Sequence, residues 1–320
     1  MKRVYFDQNI WIDIEEEREN LSFDLIQKTI DRDKIQLVYS PANCEEICNS
    51  YRSNNIKNKI SEDKKNKRIS LISELTKNTE IVPYPSPLFN TIASPFGKTG
   101  PQIVNEHPII CYKRVDTHYE SNEIPENNQQ RTINVGKNVD QKTKDILSTA
   151  DPINDLLKSK KGHEILCEKV LWKTIYGEAL IELLMRNEIE HPITEDKLPI
   201  IDYKVRTLAK NMSNYISTVN SNLSKNNIFN HISNEYSLTE TYIDSILQTL
   251  IELGYASENK FMSSLHDITH IIYGSYCDYF ITRDSKLIKK ATPAYRYIGS
   301  PAQVIDASDG SWIEILKGNI

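Results

Sequence analysis

Two acidic residues stand where short apolar runs end: Asp7 after Val4-Tyr5-Phe6, and Asp284 after Tyr279-Phe280-Ile281-Thr282-Arg283. Both runs read as buried strands, and open α/β sheets place their chemistry at the C-terminal ends of such strands. A carboxylate buried there is costly unless positive charge compensates it, and a divalent cation is the usual compensation. Two further positions can join them. Asp267 falls at the edge of the apolar face of a helix predicted over 263–276, which Leu265, Ile268, Ile271, Ile272 and Ser275 form, with His266 and His270 on its polar side. Glu45 and Glu46 follow Ser40-Pro41 in the first turns of another predicted helix. Taken singly, each of these acids has a plainer explanation in the helix dipole. Together, Asp7, Glu46, Asp267 and Asp284 make four carboxylates converging on one sheet edge, a self-repelling cluster that implies one or two hard divalent cations. Mg²⁺ or Mn²⁺ suits oxygen ligands, and the corresponding chemistry is activation of water for in-line attack on a phosphodiester.

The elements that must carry these residues are legible in outline. Strands are predicted at 3–6 and 35–39, and Ile81-Val82 suggests a third. Between them a helix is expected over 9–17, and another begins at Ser22, where Phe23, Ile26 and Ile30 recur at helical spacing. Ile69, Ile72 and Leu75 mark a further amphipathic helix. From Pro83 to Asp145 periodicity is lost and long loops are expected. Helices dominate from 153 to 254, with Leu171, Ile175 and Leu183 in their core and Tyr242, Ile246 and Leu250 in a last helix closed by Gly254. Then the strand at 279–282 follows, a short helix over 285–291, a strand near 295–298, and an apolar stretch at Val304-Ile305. Strands flanked by helices at both ends argue for an α/β fold with a central parallel sheet, one domain from 1–84 plus 257–320, and an insertion over 85–256 that is loop-rich and then helical.

Composition narrows the class. The chain has 320 residues and a net charge of −5, so the whole molecule does not attract nucleic acid and such binding requires a local basic patch. That patch is expected at Arg52, Lys57, Lys59, Lys64, Lys65, Lys67 and Arg68, as a phosphate track or else a solvated helix face. No apolar stretch is long enough to span a bilayer, and the N-terminus reads into a strand without a basic-then-apolar leader, so a cytoplasmic protein with no membrane partner is expected. The five scattered cysteines read as buried thiols rather than a disulfide framework.

Four pieces in order, Tyr5-Phe6-Asp7-Gln8-Asn9, Ser40-Pro41 with Glu45-Glu46-Ile47, Asp267-Ile268-Thr269-His270, and Cys277 through Asp284, resemble the PIN-domain nucleases. The resemblance covers 1–84 and 257–306 and leaves the middle unaccounted for. It implies a three-layer α/β/α PIN-like domain and Mg²⁺ or Mn²⁺ held by Asp7, Glu46, Asp267 and Asp284. Asn9 and Thr282 would support the metal ligands, with Glu45 competing for the role of Glu46 and His270 contacting phosphate. Glu46 is preferred because the family places its Glu just before an aliphatic residue, here Ile47. Arg283 joins the basic residues expected to meet nucleic acid. The implied activity is endoribonuclease cleavage, of toxin or antiviral-effector type, on RNA or single-stranded DNA, with an inhibitory or activating protein partner. Two other classes stay open. His266 and His270 have the i, i+4 spacing of a helical zinc pair, although the intervening acid is Asp267 rather than the Glu of metalloproteases. A catalytically silent scaffold of the same fold is the non-enzymatic alternative.

Overall fold

A computed structural model describes residues 1–53, 55, 58–83, 100–118, 138–188, 197–209, 219, 221–255 and 261–319. The strands are β1 (Lys2–Phe6), β2 (Ile35–Val38), β3 (Thr79–Val82), β4 (Gln102–Asn105), β5 (Tyr279–Thr282) and β6 (Gln303–Asp306). The helices are α1 (Gln8–Glu15), α2 (Phe23–Thr29), α3 (Pro41–Arg52), α4 (Glu62–Thr76), α5 (Pro108–His118), α6 (Gln141–Leu147), α7 (Pro152–Lys158), α8 (Lys160–Met185), α9 (Leu198–Ala209), α10 (Tyr236–Glu252), α11 (Phe261–Gly274) and α12 (Ser285–Ile298), besides shorter turns. The fold is α/β. Strands from the two ends of the chain form one parallel sheet in the order β2-β1-β5-β6.

Strand β1 is central, and its period of two divides its side chains between two cores. Tyr5 packs with Val38 and Phe280 in one core, shared with α10, α11 and α12. Val4 and Phe6 point the other way and pack with Leu37, Ile281, Trp11 and Ile72. Helices therefore cover both faces of the sheet. The register sets Phe6 beside Ile281, which brings the ends of β1 and β5 level.

Three expectations are corrected. Ile81-Val82 does lie in a strand, but β3 pairs antiparallel with β4 in a separate ribbon and meets the main sheet at a Tyr39–Glu80 bridge. The stretch read as loops contains β4 and α5, and α5 packs on α3 through buried Cys111. Pro108 signalled a loop, whereas it opens this helix, where the missing N–H is harmless. Residues 295–298 are the last turn of α12 rather than a strand, because Leu287, Ala291, Ala294, Tyr295 and Ile298 bury one helical face. Pro293 inside that helix cannot bond the carbonyl four residues back, and the Tyr255 hydroxyl donates to that oxygen, on Lys289, at 3.3 Å instead. All five cysteines are free, four of them buried. Among the described residues no helix is long and apolar enough to cross a membrane.

Gly274 lets α11 approach the sheet. A Cβ there would lie 2.6 Å from the Tyr295 hydroxyl and 2.9 Å from the Phe280 ring, both buried. Gly274→Ala is expected to cost about 1–3 kcal/mol by overpacking. Urea denaturation reads this as a lower midpoint at unchanged slope, and an unshifted midpoint would refute the close approach.

Candidate metal centre

In the strand order β2-β1-β5-β6 the chain leaves β1 toward β2 and leaves β5 toward β6, in opposite directions. The crevice beyond the ends of β1 and β5 is thus the topological switch point, where helix starts diverge and ligands fit. Asp7 sits there. It leaves the strand in extended conformation and caps α1, its Oδ1 accepting from the Gln8 N–H at 2.7 Å. Its Oδ2 accepts from Thr282 Oγ1 at 2.9 Å and from Asn9 Nδ2 at 3.2 Å. Asn9 and Thr282, the two residues expected to support this carboxylate, are thereby bonded to it.

Glu46 is delivered by the start of α3. Ser40 and Asn43 form a reciprocal capping box, with Ser40 Oγ accepting from the Ala42 N–H and Asn43 Oδ1 from the Ser40 N–H. The Asn43 amide also donates to the Phe6 carbonyl at 3.2 Å, tying this helix start to the end of β1. One turn on, Glu46 Oε1 lies 2.8 Å from His270 Nε2, and the same nitrogen is 3.8 Å from Asp7 Oδ1. The ligand atoms of Asp7, Glu46 and His270 all fall within 4.8 Å of one another.

His270 is not on a polar helix face as its sequence position suggested; its side chain is fully buried. Its Nδ1 is 2.7 Å from the Tyr5 hydroxyl, which is itself 2.7 Å from Ser40 Oγ. Burial acts to lower the His270 pKa, but the bond and charge of Glu46, with the charges of Asp7 and Asp267, raise it overall. Burial raises Asp7, with His270 opposing. Glu46 goes the other way: burial pushes it up, yet the bond and charge of His270 bring it below the usual carboxylate range. The two carboxylates favour protonation of the buried His270 ring, and the ring in turn favours the charged form of both.

The other two expected ligands stand at the margin of this cluster. Asp267 Oδ2 accepts from Lys290 Nζ at 2.8 Å, and burial pushes its carboxyl up to about 6, with Lys290 opposing and Asp7 and Asp284 adding. Asp284 caps α12, accepting from the Lys286 and Leu287 N–H groups at 2.8 and 3.2 Å. Its own N–H donates to Thr282 Oγ1 at 3.0 Å, so that threonine joins Asp284 to Asp7. Sequence reasoning ranked His270 below the four acids. Its spacing of three from Asp267 places the two on one side of α11, and that was the available signal. His266 is also buried; its Nε2 is 3.5 Å from Asn49 Nδ2, its Nδ1 has no hydrogen-bond partner among the described residues, and it lies outside the cluster.

Glu45 is the acid beside the cluster rather than in it. Burial pushes its carboxyl up to about 7, with Glu46 adding and His270 opposing. A carboxyl raised in the fold binds its proton more tightly than in the unfolded chain, so stability falls as pH rises from about 4.5 to about 7. Glu45→Gln is therefore expected to stabilise the chelator-treated protein by about 2–3 kcal/mol at pH 8 and by almost nothing at pH 4. Urea titrations at the two pH values measure it, and an equal gain at both would show the effect is not electrostatic.

The basic stretch expected as a phosphate track or a solvated helix face is held in part within the fold. Helix α4 lays its basic side against the acidic end of α1. Arg68 is buried, its Nε donating to Glu15 Oε2 at 2.7 Å, and Lys67 Nζ donates to the Glu15 carbonyl at 3.0 Å. Lys64 pairs with Glu16, Lys65 lies 4.5 Å from the centre of the Tyr51 ring, and Arg52 Nε donates to Asp116 at 2.7 Å. Arg283 Nη2 is 3.2 Å from the buried carboxylate of Asp13. Lys57 lies outside the described residues. These cations have partners within the fold: acids for Arg52, Lys64, Arg68 and Arg283, the Tyr51 ring for Lys65 and a backbone carbonyl for Lys67. Compared with known proteins, the chain matches no family model, no curated protein and no solved structure.

Proposed function

We propose that this chain is a divalent-metal-dependent nuclease, an endoribonuclease of toxin or antiviral-effector type, built on a PIN-like three-layer domain. In this reading 1–84 and 257–320 form the nuclease domain around the insertion 85–256, and activity in the cytoplasm is governed by a protein partner. The observation that carries it is the convergence of Asp7, Glu46 and His270 at the switch point of a parallel sheet, with Asp267 and Asp284 at its margin. Neighbouring ligands of an ion held at about 2.0–2.1 Å stand about 3 Å apart. The 2.8 and 3.8 Å separations from His270 Nε2 bracket that spacing, and an ion bound there would replace the proton between His270 and Glu46. Asp7 and Glu46 would hold it through oxygen and His270 through Nε2, with Tyr5 fixing the tautomer from the other side of the ring. Two carboxylates with one imidazole suit Mn²⁺ better than the all-oxygen set expected for Mg²⁺. When bound, the ion supplies Lewis-acid activation of water and phosphate. RNA as the substrate rests on the resemblance to PIN-domain nucleases.

The imidazole in the cluster also favours zinc as a second reading, and one set of measurements separates the two. Purified protein is expected to cut RNA with Mn²⁺, to stop in EDTA, and to lose metal affinity by about tenfold or more in His270→Ala but not in His266→Ala. Stoichiometric zinc that is lost in His266→Ala would establish a helical zinc pair instead. Metal binding without cleavage of RNA or single-stranded DNA would make the chain a silent scaffold.

A further inference from the structure

We propose that a cavity at the far end of α12 from the metal centre binds a small phosphate monoester of nucleotide size. The cavity has a volume of about 510 Å³ and lies between the helical insertion and the last turns of α12. Helix α12 begins at the metal-centre side, where Asp284 caps it, and reaches the cavity through Pro293, Arg296 and Tyr297. At 1.5 Å per residue, Arg296 is about 18 Å along the helix from Asp284, so the two sites are separate.

The lining states the ligand chemistry. Lys158, Lys225 and Arg296 bring three permanent cations to the cavity, against the single carboxylate of Asp151. That carboxylate pairs with Arg296, 3.4 Å from its Nη1, and accepts from the Asn154 N–H at the start of α7, so Lys158 and Lys225 carry the uncompensated charge. A phosphate monoester carries close to two negative charges and three acceptor oxygens, which suits a cavity lined by lysine and arginine. Leu157 and Ile228, both almost entirely buried, give the lining an apolar part. The volume falls inside the range of about 300–1,000 Å³ typical of organic ligands and far exceeds what a bare anion needs. The ligand is therefore a phosphate on an organic body. A free mononucleotide and the 5′-phosphate end of an RNA share that chemistry.

The proposal does not depend on the nuclease reading, and its test keeps the two apart. Calorimetric titration of the full chain in EDTA would compare the nucleoside 5′-monophosphates with the matching nucleosides. A short RNA with a 5′-phosphate would be compared with the same RNA bearing a 5′-hydroxyl. The phosphorylated member of at least one pair is expected to bind tenfold or more tightly. Lys158→Gln with Arg296→Gln is expected to remove that preference. Both side chains lie at the surface, Arg296 with 67% of its area exposed, so the fold is not at stake. Asp7→Asn is expected to leave binding unchanged. A preference for mononucleotides alone identifies a free metabolite, and one for the RNA end alone identifies the polymer terminus. Equal affinity within both pairs would overturn the site, and so would a double variant that binds like the wild type. Binding lost in Asp7→Asn but kept in the double variant would place the ligand at the metal centre and overturn it equally.

Discussion

Asp7→Asn is expected to abolish both metal binding and RNA cleavage while making the metal-free protein more stable. Losing a residue that merely supports a ligand already costs about 10–100-fold in metal affinity, so removing a direct ligand should cost about 100-fold or more. The fold survives because the Asn carbonyl can still cap α1 at the Gln8 N–H, the bond Asp7 accepts at 2.7 Å. Burial holds the Asp7 carboxyl above its usual range, so its charge costs stability at neutral pH and a neutral amide removes that cost. Two thermal-melting curves for each protein, with EDTA and with Mn²⁺, read the result. The wild type should gain melting temperature on adding Mn²⁺, and Asp7→Asn should start higher and gain almost nothing. A variant that keeps the wild-type response to Mn²⁺ would remove Asp7 from the site, whatever its nuclease activity.

Arg68→Met should destabilise the protein by about 3–5 kcal/mol, the cost of leaving a buried carboxylate without its partner. The guanidinium and the Glu15 carboxylate are 3% and 2% exposed, so water cannot replace the lost charge. Adding Glu15→Leu should recover much of the loss, since two apolar side chains of similar volume can replace a buried pair at little net cost. Urea denaturation of the two single variants and the double variant closes the cycle. RNA affinity per folded molecule should not change. If Arg68→Met instead keeps full stability and loses RNA affinity, the residue faces a polyanion and the packing of α4 on α1 is wrong.

These two positions show how differently the chain discloses its parts. The sequence of 1–53 contains its own local punctuation, and the structure follows it closely. Ser22 and Ser40-Pro41 start α2 and α3 where expected, and the apolar runs before Asp7 and before Arg283 and Asp284 are β1 and β5. Caps, helical period and strand length act over a few residues, so they can be read from a few residues. The parallel α/β sheet joining the two chain ends follows from those elements in order. Where a local signal had two meanings, the reading failed. The helix expected over 285–291 continues to Ile298 as α12, because it buries a helical face there and Tyr255, 38 residues upstream, satisfies the carbonyl that Pro293 leaves unbonded.

Acids at strand ends could be identified from sequence, but not what neutralises each one. Asp7 and Glu46 meet His270, Asp267 meets Lys290, and Glu15 meets Arg68, pairs separated by as few as 23 and as many as 263 positions along the chain. Each pairing depends on two elements whose contact is set by packing against a shared core. Charge type tells only that a buried acid needs a partner. Which cation arrives is decided by distance and desolvation once the helices have docked. That is why the basic stretch at 52–68, with no local clue to the acids of α1, read as a phosphate track or a solvated helix face, and only the tertiary structure turned Arg68 inward.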